Sequence, residues 1–417
     1  MKAIRMSSLM LLLLLVAALA SVSHAEEGVT LRLATWPGLL EITQKVAEAY
    51  NAQSNGITVE VESMGVGWDR FPEYLIPRLT SGTAPDIAFI SPINYVDLYA
   101  NGLIIDMMPY MQRDPLYDPS EYWPAVLQWA ERDGAVYAFP AGMVSYVTYF
   151  NYQLFAEAGL PPLSMQHTQS ELYELARALT QGEDQIGLGI LTGLERIFPF
   201  VWANGGDMFS EDGRRALFNT PVWRDTVNQL VELIHGYGAA YPSALGGIGD
   251  MFIQGKLAIL VDGTWAYRHF SSNLGDVLGI TPLAEGSAGY NAPLWPDSYV
   301  ITPGSQHPAE AWDAIRWFST EGSRIFIFPP DGQSSIPIVR SIAEEFAHAA
   351  FTDPNAIQTY LYNAQFGTIP NYPLNYLNIM LDTDPVLREI FLGNVAPSAG
   401  LEQIQSRAEV LLLEPPF

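Results

Sequence analysis

Apolar residues recur with two distinct periods along this chain. Val29, Leu31 and Leu33 alternate with Thr30, Arg32 and Ala34, the period of a strand. A Trp36-Pro37-Gly38 break follows. Leu39, Ile42, Val46, Ala49 and Tyr50 then recur at helical spacing, with an end near Asn55-Gly56, and Ile57, Val59 and Val61 alternate again. Two strands joined by a helix predict parallel pairing through a right-handed crossover. Phe71, Leu75 and Leu79 share one face of a second helix, 81–86 is a loop, and 87–90 is a short buried strand.

Further along, 136–139 and 144–150 read as two strands and 171–180 as a helix. A strand at 257–261 is closed by an Asp262-Gly263 turn. Residues 309–318 form an amphipathic helix with Ala311, Trp312, Ile315 and Phe318 inward. The C-terminal third is helical, and its last helix, 398–413, carries Leu401, Ile404, Ala408 and Leu411 at core spacing. No internal repeat is visible and no Gly/Ser linker separates two halves. The chain is therefore expected to pass between domains several times through ordered segments.

The first residues have a different pattern. Lys2 and Arg5 precede an apolar run from Leu9 to about Ala20, and Ser23-His24-Ala25 leads into Glu26. A basic start, a short apolar core and a small-x-Ala exit mark a secretory signal peptide, 1–25, cleaved between Ala25 and Glu26. The run is too short for a spanning helix. Export to the periplasm, with no membrane-embedded segment, is the expectation. The chain contains no cysteine, which removes lipid anchoring at cysteine, disulfides and thiolate chemistry together.

Charge excludes further classes. The chain has 45 acidic and 20 basic residues, a net charge of −25. Beyond the leader only Lys45 and Lys256 remain as lysines. Such a surface cannot neutralise phosphates, so nucleic acid is not an expected partner.

Catalytic signatures are missing. None of the six histidines pairs with another at metal-ligand spacing, and no Gly-x-Ser-x-Gly elbow or phosphate loop occurs. Gly65-Val66-Gly67 and Gly187-Leu188-Gly189 lack the third glycine of a dinucleotide loop. No metal and no cofactor are expected. Abundant carboxylates leave a glycosidase pair open by inventory alone.

Several segments resemble one family in order and spacing. Leu31-Arg32-Leu33-Ala34-Thr35-Trp36 resembles a first strand ending in a cleft-facing aromatic. Ser81-Gly82-Thr83-Ala84-Pro85-Asp86-Ile87 is similar to a small-residue Pro-Asp segment, and Gly134 to Pro140 fits Gly-x-x-Tyr-x-x-Pro. Tyr149-Phe150-Asn151 followed by Leu154-Phe155-Ala156-Glu157-Ala158-Gly159-Leu160 is the most specific stretch. Gln254-Gly255-Lys256-Leu257-Ala258 and Asp262-Gly263-Thr264-Trp265 complete the series. The chain thus resembles the extracellular solute-binding proteins of ABC transporters, in the group of maltose- and glucose-binding proteins. It departs from that pattern at Phe150 and at Met165-Gln166-His167-Thr168.

The resemblance implies an α/β, two-lobed periplasmic-binding-protein fold, each lobe a mixed sheet flanked by helices, with the ligand in the interlobe cleft. Lobe one would be 26–143 plus 285–325, and lobe two 144–284 plus 326–417. It also implies a monomeric receptor, not an enzyme, that delivers its ligand to ABC permease subunits.

Ligands in such sheets sit beyond the carboxyl ends of the strands. That rule picks Trp36 after the first strand, Ser91 and Asn94 after 87–90, and Asp262 and Trp265 after 257–261. Tyr146 lies at the proposed crossing, and Trp295 and Asp297 lie just before 298–301. Gln333 and Ser335 belong to a Pro-Pro-Asp-Gly-Gln-Ser-Ser turn that matches a polar loop of the family, and Trp202 precedes an Asn-Gly-Gly turn. Ten tryptophans, 21 tyrosines and many carboxylates suit a sugar or polyol, whose C–H faces stack on rings and whose hydroxyls meet carboxylates. A cationic solute, such as a polyamine or betaine, is the alternative that the acidic balance raises. An anionic ligand would need a cleft arginine, and only Arg196 and Arg340 are placed for one.

Overall fold

The computed structural model describes residues 28–328, 335–346, 353 and 355–414. The leader, Ala25, Glu26 and Gln333 lie outside the described residues. Eleven strands are found among them: β1 Val29–Thr35, β2 Ile57–Ser63, β3 Ile87–Ile90, β4 Glu131–Arg132, β5 Ala135–Val136, β6 Phe139–Asn151, β7 Ile186–Ile190, β8 Ala240–Pro242, β9 Leu257–Gly263, β10 Leu278–Thr281 and β11 Leu294–Ile301. All but the small β4–β5 pair follow one hydrogen-bonded path, β2-β1-β3-β11-β6-β9-β7-β8, with β10 also on β6.

The opening βαβ unit forms as its periodicity predicts. Helix Leu40–Asn51 buries Ile42, Val46, Ala47 and Tyr50. β1 then runs parallel to β2, Val29 opposite Ile57 through Thr35 opposite Ser63. Helices Pro308–Ser319 and Pro397–Leu411 match the two C-terminal amphipathic patterns.

Strand β6, whose thirteen residues are all buried, joins the two halves of the path, a first sheet β2-β1-β3-β11 and a second β9-β7-β8 with β10. Its first half, to Ser145, pairs antiparallel with β11. From Tyr146 onward it pairs with β9, and Thr148 to Asn151 also face β10. The expected pair of strands at 136–139 and 144–150 is thus corrected: one strand runs from Phe139 without a break. Gly142 within it marks a close approach, because a Cβ there would stand 3.1 Å from Ser335 Cβ and 3.2 Å from Ile327 Cδ1. A second correction concerns Asp262-Gly263. It does not turn the chain; Asp262 pairs with Val147 and Gly263 with Tyr146, so the ladder overrides the local turn signal.

Two buried clusters fill the molecule. One joins Leu31, Leu33, Phe89, Tyr299, Trp312 and Phe318 under the first sheet and extends to Tyr149 and Phe270. The other joins Phe150, Leu188, Ile259, Trp223 and Phe391 under the second. The result is the expected two-lobed α/β architecture, each lobe a sheet flanked by helices. Asn363, on helix Asn355–Phe366, ties the crossing: its amide donates to Ser145 Oγ and to the Tyr146 carbonyl, both at 2.9 Å.

Candidate ligand cleft

A cleft of 720 Å³ opens where strand ends of both sheets converge. That volume falls within the roughly 300–1,000 Å³ usual for small-molecule sites. Trp36 and Ser91 enter it from the ends of β1 and β3, and Asp262 and Trp265 from the end of β9. Tyr146, Trp295, Asp297 and Ser335 line it at the crossing.

An aromatic cluster forms one wall. Tyr146 packs edge-on against Trp265, 5.5 Å between centroids, and against Trp295 at 4.8 Å. Each ring is placed by its element. Trp265 lies in the short turn Thr264–Ala266 that continues β9. Trp295 is the β11 residue opposite Val144. Across the cleft Trp36 leans edge-on against Phe89, 4.9 Å away.

Behind the wall is a buried polar chain. Trp295 Nε1 donates to the Tyr372 hydroxyl at 2.5 Å. Tyr372 donates to Glu195 Oε2 at 3.2 Å, and Tyr376 donates to Glu195 Oε1. Glu195 sits on helix Leu194–Trp202, whose first amide donates to Asp384 Oδ1 at 2.7 Å. Burial disfavours ionised carboxyls here. It pushes Glu195 up to about 7, Asp384 up to about 6 and Asp297 up to about 8, and it also raises Asp262. The Arg196 guanidinium lies 5.2 Å over the Tyr146 ring and 5.1 Å over the Trp265 ring.

The chain from 36 to 325 matches the model of one family, described as bacterial extracellular solute-binding protein. The chain belongs to that family. A binding protein of Brucella abortus is 22% identical over 385 residues, covering 88% of this chain and 89% of its own. The galactooligosaccharide-binding protein of Bacillus subtilis is 22% identical over 345 residues, covering 79% and 77%. Among solved structures, the ABC substrate-binding protein Lmo0181 from Listeria monocytogenes, in complex with cycloalternan, is similar with a TM-score of 0.82. It is 19% identical and covers 92% of this chain and 98% of its own. Among the described residues no helix is long and apolar enough to cross a membrane.

Two expected contacts are placed elsewhere, one picked from a strand end and one from the Asn-Gly-Gly turn. Asn94 is buried in helix Pro92–Ala100, its amide donating to the Trp68 carbonyl at 3.0 Å; it positions the Trp68 loop and does not line the cleft. Trp202 stacks on Phe198, 4.8 Å away, against the second cluster. The Asn-Gly-Gly turn after it is held internally, with Asn204 donating to Gln169 Oε1 at 2.8 Å and to the Phe200 carbonyl at 2.9 Å. Ser91 lines the cleft as the N-cap of its helix, its hydroxyl accepting from the Ile93 amide. Arg340 lies over the Trp123 ring, outside the cleft.

The cleft also holds Trp68, Asp69, Glu195, Arg196 and Asp384. Trp68 and Asp69 follow β2, and Glu195 follows β7 by a short loop, so the strand-end rule reaches them once it is applied to every parallel strand. Asp384 lies mid-helix before Pro385 and carries no local signal.

Proposed function

We propose that this protein captures a carbohydrate outside the cytoplasm and presents it to the permease of an ABC transporter. The observation that carries this reading is the Tyr146–Trp265–Trp295 cluster facing Trp36 across a cleft rich in carboxyls. Aromatic faces suit the C–H faces of a pyranose, and carboxyls held near neutrality can both accept from and donate to hydroxyls. The relatives named for galactooligosaccharide and cycloalternan binding support the same class. Trp36, Ser91, Tyr146, Asp262, Trp265, Trp295, Asp297 and Ser335 are proposed as ligand contacts. The lobes of the proposal are 26–143 with 285–325 and 144–284 with 326–417. Ligand docks on one lobe and the other closes over it, to the extent that it binds the closed form more tightly.

The test is calorimetry and thermal-shift measurement against saccharides, polyols, polyamines and quaternary amines. Stoichiometric binding of a saccharide, recovered unchanged, is expected, with compaction in small-angle scattering. Stabilisation by amines and by no saccharide would sink the carbohydrate reading. Release of a shortened sugar would turn the site into a glycosidase.

A further inference from the structure

Arg196 stands in the cleft with a donor to spare. It occupies the first turn of the nine-residue helix Leu194–Trp202, where a cation opposes the helix dipole and gains nothing from it. Its Nη1 is buried and has no hydrogen-bond partner among the described residues. An unpaired buried guanidinium N–H is costly. Elsewhere the chain avoids that cost: Arg316, about as enclosed, holds Asp114 at 2.6 Å and Asp313 at 2.8 Å.

Carboxyls are near, but they are engaged otherwise. The titratable groups facing the guanidinium are Tyr146 from β6, Asp262 from β9, Glu195 from its own helix and Asp384 from helix Tyr376–Phe391. Glu195 is held by two tyrosine hydroxyls, Asp384 by the Leu194 amide, and Asp262 by the Gly263 amide at 2.7 Å. None of the three forms an ion pair with Arg196 among the described residues. The rings of Tyr146 and Trp265 lie under the guanidinium, and the Tyr146 hydroxyl is a further partner for it, so the spare donor is Nη1.

We propose that Arg196 is reserved for a carboxylate of the ligand, and that the carbohydrate is an acidic one built from hexuronate units. The inference rests on the carbohydrate reading above and adds the ligand's charge. A neutral hydroxyl pairs with the spare donor but brings no charge to it. A carboxylate does both and matches the planar fork. A polyamine would place a second cation against the first, and a betaine brings its carboxylate only with a cation attached. The surrounding acids oppose an anion only while ionised. With burial holding Glu195 near 7 and Asp384 near 6, they lose charge as pH falls toward 6. Arginine stays protonated and the uronate stays ionised over that range. Binding therefore strengthens from pH 8 to pH 6.

The experiment is calorimetry on the full exported protein. Galacturonate, glucuronate and mannuronate trisaccharides are each compared with their neutral hexose counterparts at pH 6 and pH 8. One uronate is expected to bind roughly 10- to 100-fold more tightly than its neutral counterpart, and more tightly at pH 6. Arg196→Gln abolishes that preference, and Arg196→Lys retains part of it; ligand-free melting of both variants verifies folding. Equal affinity for acidic and neutral sugars, or Arg196→Gln with undiminished uronate affinity, overturns the proposal. A neutral sugar that binds where no uronate does overturns it while leaving the carbohydrate reading intact. Binding of a polyamine and of no sugar overturns both.

Discussion

Replacing Glu195 by Gln tests whether the polar chain behind the aromatic wall is governed by burial. Glu195 is 7% exposed and accepts from Tyr372 and Tyr376. Its folded pKa is about 7, against 4.5 for an unperturbed glutamate. The fold favours the protonated form. The stability contributed by this group is present in full below pH 4.5 and is lost as pH rises through 7. Linkage over that shift removes about 1 kcal/mol by pH 5.5 and about 3 kcal/mol by pH 8. Glutamine cannot ionise and keeps an acceptor for one tyrosine, so its other effects are a constant offset. Urea unfolding of both proteins, followed by tryptophan fluorescence, reads the difference. The stability of Glu195→Gln relative to the parent is expected to rise by about 2 kcal/mol between pH 5.5 and pH 8. The same gap at both pH values, or one that narrows, would refute the assignment of a burial-raised carboxyl.

Other substitutions separate the wall from its supports. Trp265→Ala is expected to weaken saccharide binding by roughly 30-fold in calorimetry, whereas Trp202→Ala leaves affinity unchanged and lowers stability by about 2 kcal/mol in urea unfolding. Gly263→Ala places a Cβ 2.2 Å from Trp265 ring atoms; affinity should fall as in Trp265→Ala, with circular dichroism showing the fold retained. Asp384→Ala removes the acceptor of the Leu194 amide and is expected to lower stability by about 1 kcal/mol at pH 4. Because burial raises Asp384 to about 6, that loss shrinks and turns toward stabilisation as pH rises to 8, measured by denaturant unfolding at both pH values.

Periodicity reported the lobes better than it reported their junction. The βαβ unit and the helix at Pro308–Ser319 were legible because each has one face on a single core. β6 was not, because it is buried on every side and its residues serve two sheets in turn; no alternation survives there. Asp262-Gly263 misled for the opposite reason, a strong local turn signal outvoted by a ladder partner more than a hundred residues away. In the cleft, the strand-end rule brought Trp36, Asp262 and Trp265 to one place because it follows from topology. It overreached at Asn94, where the residue after the strand is already inside the next helix. Glu195 lies within reach of that rule, but its raised pKa was opaque because the burial that raises it comes from elements remote in sequence.

The clamp made by Asn363 on Ser145 and Tyr146 has a mechanical consequence. It fixes the backbone at the point where β6 changes sheets, directly beside a Tyr146 ring that walls the cleft. β11 carries an irregularity between Asp297 and Ser298, alongside the same stretch. In the proposed lobes this stretch is one of three places where the chain passes between them, so a change of angle between the lobes twists it. In that reading the hinge and the aromatic wall of the cleft share one piece of chain. On those boundaries a solute seated there acts beside the pivot, where a small displacement is carried to a larger one at the lobe tips. A lesion at Asn363 would accordingly disturb the gearing even though its side chain never meets the solute.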